Sequence, residues 1–243
     1  MKCDQPQRSL IVNADDFGLT PGINRGVIGA FENGILTSAS LMVRAPACRE
    51  AAAYAKASTR LSVGLHVDLC EWECQDEEWK ILYEVVPVAD ANAVAGEVER
   101  QLAAFRDFVG RDPTHLDAHQ HVHHSEPLRS ILLRLGGELA VPVRAFDPEI
   151  RYCGEFYGQS DKGYPYPEGI SVEAMLAVLQ GLGSGLTELA CHPAADLDVD
   201  SMYRDERKLE FQTLCDPRVR AAVTEEGIAL VGFPARRRGW EPV

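Results

Sequence analysis

The chain has 243 residues, of which 46% are hydrophobic and 25% charged, and its formal net charge is −13. This composition is typical of a globular protein, and we predict a single domain over residues 1–243. The negative charge argues against nucleic acid and anionic membranes as partners, since both favour basic surfaces. No apolar segment is long enough for insertion into a membrane. The polar residues 1–6 do not resemble a secretory signal, and the seven cysteines lack paired CxxC spacing. We therefore expect a cytoplasmic protein with reduced thiols.

Short apolar segments alternate along the chain with segments of helical periodicity. We predict strands at residues 10–14, 37–43, 61–67, 114–118, 141–146, 186–191 and 228–231. We predict helices at residues 22–33, 47–57, 91–109, 126–135, 172–182 and 203–214. This alternation predicts an α/β fold with a parallel sheet covered by helices. Seven such units in a chain of this length favour a distorted (β/α) barrel over the alternative, an open doubly wound sheet. No glycine-rich phosphate-binding motif follows any strand, so nothing indicates a nucleotide site.

The first predicted strand ends in two adjacent carboxylates, Asp15 and Asp16, followed by Phe17 and Gly18. Neighbouring strand residues point to opposite faces, but the backbone turns at a strand end, so both carboxylates can reach one pocket. Two carboxylates there repel each other unless a cation or a shared proton offsets the repulsion. The alternative is a helix N-cap, because Asp is common where a strand passes into a helix.

Histidines lie at the carboxyl ends of other predicted strands, where α/β folds place their chemistry. His66 ends one strand, His192 follows another, and residues 114–124 contain five of the seven histidines. The odd-numbered residues from 115 to 123 would share one face of an extended strand; the alternative is an exposed polar tract. One Asp with two His is a common ligand set for a divalent ion that activates water for ester or amide hydrolysis. The spacing does not decide which histidines bind.

Two segments fit the alternation poorly and are predicted to be loops. Residues 71–90 are acidic and contain two tryptophans, and residues 151–169 are rich in Tyr and Gly. Both follow strands at the end where the site is expected, so we predict that their aromatic side chains form a wall for a sugar. The alternative is a solvated connection. The candidate substrate contacts are Trp72, Asp117, Arg144 and Tyr157.

Together these motifs resemble those of the YdjC-type carbohydrate deacetylases, which include chitooligosaccharide deacetylases and hopanoid-associated deacetylase-like proteins. The most specific are Asp-Asp-Phe-Gly at 15–18 and His-Leu-Asp-Ala-His-Gln-His-Val-His at 115–123. Residues 33–43, 64–66 and 191–193 also match, and residues 156–158 match more weakly. The resemblance implies a distorted (β/α) barrel, a mononuclear divalent-metal site, and removal of an N-acetyl group from an amino sugar or oligosaccharide.

The resemblance also implies a role for each candidate residue. Asp16, His66 and His119 would bind the ion, Asp15 would be the general base, and His192 would protonate the departing amine. The choice of His119 over the neighbouring histidines rests on the resemblance. Imidazole ligands suit Zn²⁺, whereas the resemblance suggests Mg²⁺. The alternatives are a metal-dependent hydrolase of an ester or phosphoester, and a non-catalytic sugar-binding homologue; a homodimer is left open.

Overall fold

The computed structural model describes residues 7–75 and 77–233, so the polar segment 1–6 lies outside the described residues. Its strands are β1 (Arg8–Phe17), β2 (Ser38–Leu41), β3 (Ser62–Val67), β4 (Cys70–Gln75), β5 (Glu78–Glu84), β6 (Leu116–Ala118), β7 (Ile150–Cys153), β8 (Gly185–Cys191) and β9 (Ile228–Leu230). Its helices are α1 (Pro21–Asn33), α2 (Cys48–Ala57), α3 (Ala91–Val109), α4 (Leu128–Leu139), α5 (Val172–Gly181), α6 (Asp205–Leu214) and α7 (Pro217–Glu225).

Seven strands form one curled parallel sheet, a half-barrel with the order β6-β3-β2-β1-β8-β7 and with β9 beside β1. The predicted distorted barrel of about seven parallel strands is therefore confirmed. The central strand, β1, is buried from Leu10 to Phe17, as expected for a parallel strand covered on both faces. The carboxyl ends of β1, β3 and β8 bring Asp16, His66 and His192 to the same edge of the sheet, where the candidate site lies.

Helix ends follow the local signals in the sequence. Thr20 caps α1, accepting a hydrogen bond from the Ile23 N–H, and Pro21 occupies the first turn. Asp90 caps α3 in the same way, and that helix ends at Gly110 in a left-handed conformation. Across residues 7–75 and 77–233, no helix combines the length and the apolar character needed to cross a membrane.

The structure differs from the predicted elements in three places. Residues 141–146 are not a strand: Val143 makes a single bridge to Leu116, and β7 enters the sheet instead. Pro142 has no N–H for a ladder, which explains why this apolar run is a connection. The segment after β3, predicted to be a loop, contains the antiparallel hairpin β4–β5. Helix α7 was not predicted.

Candidate active site

The carboxyl ends of four strands meet at one cavity of about 690 Å³. β1 contributes Asp15 and Asp16, β3 contributes His66, and the turn after β6 contributes His119. His192, directly after β8, lies on the same wall. The structure thus brings together all five side chains that the sequence indicates for ion binding and proton transfer. Their roles remain predictions.

A turn at the end of β1 lets the two neighbouring aspartates share this cavity. Asp16 has φ +61°, in the left-handed region that Asp tolerates better than most residues. The β1–β2 register shifts here, so β1 carries one extra residue. Gly18 follows at φ +99°, and a Cβ at this position would lie 3.0 Å from the Cα of Cys48. The N-cap interpretation of the doublet is wrong, because Thr20 caps α1.

Asp16, His66 and His119 form a candidate group for a metal ion, with ligand atoms within 4.8 Å of one another. Asp16 Oδ1 lies 3.4 Å from His66 Nε2 and 3.0 Å from His119 Nδ1. A hydrogen bond of 2.8 Å joins His66 Nδ1 to Asp117 Oδ1, so the other nitrogen is the one that faces Asp16. Burial lowers the pKa of His66, but Asp117 outweighs this effect and raises it to about 10. The position therefore favours a positive charge.

A buried arginine that we did not predict holds the second oxygen of Asp16. Arg207, on α6, donates from Nη2 to Asp16 Oδ2 at 2.6 Å, which leaves Oδ1 facing the two histidines. Burial raises the pKa of Asp16, but the charges of Arg207 and His119 outweigh burial and hold this pKa well below its usual range. The sequence feature that could have indicated Arg207 is its spacing from an acidic residue, Glu210, one helical turn later. The structure shows that both residues are buried in α6.

A second buried arginine lies beneath the cavity and holds Asp15. Arg144 donates to both oxygens of Asp15, at 2.6 and 2.7 Å. It also contacts Asp117 Oδ2 at 2.8 Å and Glu188 Oε1 at 2.6 Å. Burial raises the pKa of Asp15, but Arg144 outweighs burial and lowers it, so Asp15 is ionised. Burial raises the pKa of Glu188 to about 7 against the opposing charge of Arg144.

Arg144 also distinguishes between two groups that include His66. The ligand atoms of Asp15, His66 and Asp117 lie within 4.8 Å of one another, but Arg144 already supplies the cation between those two carboxylates. The group that contains Asp16 is therefore the better ion site. Asp117 and Arg144 are buried and do not line the cavity. Both side chains lie beneath the cavity surface, so this placement does not bring them to a substrate, which was their predicted role.

His192 faces Asp15 across the cavity and has a carboxylate behind it. Its Nε2 lies 3.9 Å from Asp15 Oδ2, and its Nδ1 lies 3.7 Å from Glu210 Oε1. Glu210 is fully buried and accepts hydrogen bonds from the His192 backbone N–H and the Tyr203 hydroxyl. The stacked rings of Tyr157 and Tyr203 both contact the imidazole. A ring between two carboxylates is well placed to carry a proton.

The hairpin β4–β5 forms one wall of the cavity. Trp72, Trp79 and Leu82 line the cavity from this hairpin, and Tyr157 lines it from the segment after β7. The side chain of Gln120 joins the hairpin to the turn after β6, because it exchanges two 2.8 Å hydrogen bonds with the backbone of Trp72. Trp72 and Tyr157 are therefore at the cavity surface, where sugar contact was predicted, and that contact remains a prediction.

The histidine tract does not continue as an extended strand. After β6 the backbone turns through a 3₁₀ segment, His119–His124, that contains two left-handed residues. The interpretation based on one shared strand face is therefore wrong. His119 faces Asp16, whereas His115 lies beneath the sheet, 3.0 Å from the Ser40 hydroxyl. The last three histidines of the tract form a separate cluster.

Known proteins resemble this chain over nearly its whole length. A family model described as YdjC-like protein matches residues 9–225. The carbohydrate deacetylase of Geobacillus stearothermophilus is 32% identical over 241 residues, covering 93% of this chain and 97% of the relative. The chitooligosaccharide deacetylase of Serratia marcescens is 32% identical over 253 residues, covering 93% and 98%.

Solved structures share the fold. An Enterococcus faecalis protein, described as a candidate cellobiose-phosphate cleavage protein, has a TM-score of 0.72 at 25% identity and covers 93% of this chain and 98% of its own. A family 4 carbohydrate esterase from Streptomyces lividans has a TM-score of 0.54 at 12% identity, with 98% of each chain covered. The second likeness is one of fold alone.

Proposed function

Because this chain belongs to the YdjC-like family, we propose that it is a metal-dependent deacetylase that removes an N-acetyl group from an amino sugar or oligosaccharide. The observation that carries the proposal is the pair of carboxylates with different partners in one cavity. Asp16 faces two histidines, whereas Asp15 faces His192 and is held by a buried arginine. Metal-assisted hydrolysis of an amide uses this division between a site for an ion and a site for proton transfer.

We propose that Asp16, His66 and His119 hold one divalent ion, either Zn²⁺ or Mg²⁺. One carboxylate oxygen and two imidazoles are a suitable donor set, and the carboxylates around His66 favour positive charge here. The other ring nitrogen of His119, Nε2, is buried without a hydrogen-bond partner among the described residues, so no described protein group competes for this imidazole. A divalent ion bound here would polarise the acetamide carbonyl and lower the pKa of water.

Asp15 is the proposed general base. Its lowered pKa keeps it ionised, and the two hydrogen bonds from Arg144 fix the carboxylate plane. The base takes a proton from the attacking water as the new bond between oxygen and the acetyl carbon forms. Arg144 acts here as a positioning residue, because its side chain is buried and does not line the cavity.

His192 is the proposed general acid. Its Nε2 lies on the cavity side, facing Asp15, and would give its proton to the amide nitrogen as the carbon–nitrogen bond breaks. Acetate and a free amine are the products. Glu210 lies behind the ring, 3.7 Å from Nδ1, and holds the residue in place by accepting a hydrogen bond from its backbone N–H. Glu210 thus acts through His192 rather than on the substrate.

The amino sugar itself would stack on the aromatic wall. Trp72, Trp79 and Tyr157 line the same cavity as the proposed reacting groups. Aromatic faces bind the apolar face of a sugar ring and leave its hydroxyl groups exposed to polar partners. These side chains support a carbohydrate rather than a small acetylated metabolite as the substrate.

Acetate release by metal-free protein, then with added Zn²⁺, Mg²⁺, Mn²⁺ or Co²⁺, tests the function on a panel of N-acetylated sugars. We expect acetate that depends on the ion and is lost in Asp15→Asn. Phosphate release from sugar phosphates, measured in parallel, tests the phosphoester alternative. Full acetate release without an ion would overturn the ion's part in the proposal. Tight ion binding with no acetate from any sugar would overturn the deacetylase.

A further inference from the structure

We propose a second metal site, built from His121, His123 and His124, for a transition-metal ion such as Zn²⁺ or Ni²⁺. One nitrogen from each of these rings lies within 4.8 Å of the others. The proposed deacetylation uses none of the three. We call this group the histidine cluster.

The backbone turn after β6 brings the three rings together. His121 has φ +55°, so the chain folds back instead of extending. The ring centroid of His121 lies 5.8 Å from that of His123 and 6.0 Å from that of His124, and the last two are 4.6 Å apart. Phe146 packs against His123 and His124, with centroids at 6.2 and 5.5 Å. The cluster is therefore preformed by the fold.

His123 is the residue that points most directly to a ligand. It is fully buried, and neither of its ring nitrogens has a hydrogen-bond partner in the described part of the chain. The Nδ1 of His121 is likewise buried and unpartnered, while its Nε2 lies 3.3 Å from the Tyr152 hydroxyl. A buried polar group without a hydrogen-bond partner destabilises the fold. One ion bound to the cluster would satisfy several such atoms together.

The donor set selects a different ion from the group around Asp16. Three imidazoles suit Zn²⁺, Ni²⁺ or Cu²⁺, whereas Mg²⁺ prefers oxygen ligands and finds none in this cluster. We therefore expect Mg²⁺ to bind at most at the Asp16 group, and Ni²⁺ or Zn²⁺ to bind at the histidine cluster as well. Because His121 lines the cavity, an ion here would lie at the cavity edge and would rigidify the turn that carries His119.

The test measures Ni²⁺ binding in the Asp16→Asn protein, which lacks the carboxylate of the other group. Its outcome does not depend on deacetylase activity. We expect one bound equivalent by isothermal titration calorimetry, a higher Tm in the presence of Ni²⁺, and no Mg²⁺ binding. Adding His124→Gln should abolish the bound equivalent and the rise in Tm.

His124 is exposed, so its replacement tests the cluster without emptying the core; His123→Gln is the stronger second variant. Arg129→Gln, a surface change on α4, is the control and should leave Ni²⁺ binding intact. If Asp16→Asn binds no Ni²⁺, the proposal is wrong. It is also wrong if the Ni²⁺ affinity is the same with and without His124→Gln.

Discussion

The two adjacent aspartates at the end of β1 are held by two different buried arginines. Arg144 reaches Asp15 from beneath the cavity and occupies both of its oxygens. Arg207 reaches Asp16 from α6 and occupies one oxygen, so the other faces His66 and His119. Neighbours in the sequence thus have different surroundings in the fold. The difference teaches that buried arginines can give two neighbouring carboxylates different surroundings, one with both oxygens held and one with an oxygen left facing the histidines.

The largest expected effect comes from replacing the two aspartates, because each replacement should impair a different step. In a His124→Gln background, which removes the proposed histidine cluster, Asp16→Asn should abolish tight Zn²⁺ binding and with it nearly all acetate release. Asp15→Asn should keep the ion and lower kcat by about 10²- to 10⁴-fold, the usual contribution of a general base. The measurements are Zn²⁺ affinity by competition with a chromophoric chelator and the rate of acetate release. Loss of ion binding in Asp15→Asn would show that the two carboxylates are not divided in this way.

Replacing the two arginines tests the same division through stability. Arg144→Met leaves three carboxylates without their buried cation, and we expect a loss of about 3–5 kcal/mol in the free energy of unfolding. Arg207→Met leaves only Asp16 without its partner, so the loss should be smaller. Added Zn²⁺ should restore stability in Arg207→Met more than in Arg144→Met, because the ion binds beside Asp16.

Urea unfolding with and without Zn²⁺ measures both arginine variants. Arg218→Gln, at an exposed ion pair, is the control and should change stability little. Equal destabilisation and equal rescue in the two variants would contradict the comparison.

Glu188 is an additional carboxylate that contacts Arg144 but not Arg207, so its titration tests the surroundings of Arg144 alone. Its pKa is about 7 in the folded protein and near 4.5 when exposed, so only the folded chain keeps this proton between those values. Folding stability should therefore fall as pH rises through this window. Glu188→Gln keeps an oxygen for Arg144 and removes the titration. We expect the loss of stability between about pH 5 and about pH 8 to be smaller in the variant by about 1–2 kcal/mol.

Urea unfolding at several pH values measures this effect in both proteins. An identical dependence of stability on pH in Glu188→Gln would show that Glu188 is ionised in the fold throughout the window.

The smallest expected effect concerns the aromatic wall of the cavity rather than the charged side chains beneath it. Trp79→Ala should raise KM by about 2- to 10-fold with little change in kcat, because stacking on an aromatic ring contributes about 0.5–1.5 kcal/mol. Ile81→Ala is the matched control, since this exposed residue lies on the same strand but does not line the cavity. Steady-state acetate release measures both variants. A fall in kcat without a change in KM would mean that Trp79 does not bind the sugar.

The sequence predicted the parts of the site that lie at strand ends. Asp15, Asp16, His66 and His192 follow apolar runs that fold as expected, so their meeting at one sheet edge could be inferred from the pattern. Which histidine of residues 115–123 would join them could not be inferred from spacing. The left-handed turn after β6 decides it, and no periodicity in the sequence encodes that turn.

The parts that were missed lie where local patterns mislead. Arg207 and Glu210 are charged residues on a helix, which usually face solvent, yet both are buried in α6. The hairpin β4–β5 was missed although residues 70–75 alternate apolar and polar side chains as a strand does, because the segment is rich in acidic residues that are typical of a solvated loop. Arg144 was predicted near the site. Its position beneath the cavity could not be predicted, because it depends on three carboxylates that only the fold brings together.

The position of β1 in the sheet has a consequence for biosynthesis. β1 is synthesised first, yet β8 pairs with it from Arg8 to Ala14, and β9 covers Arg8 to Leu10 on its other side. Such distant pairing gives a high contact order and slows folding. A nascent chain on the ribosome therefore displays both aspartates long before the strands and helix that enclose them exist. Because Arg207 lies on α6, which follows β8, the candidate site cannot be complete until α6 has been translated.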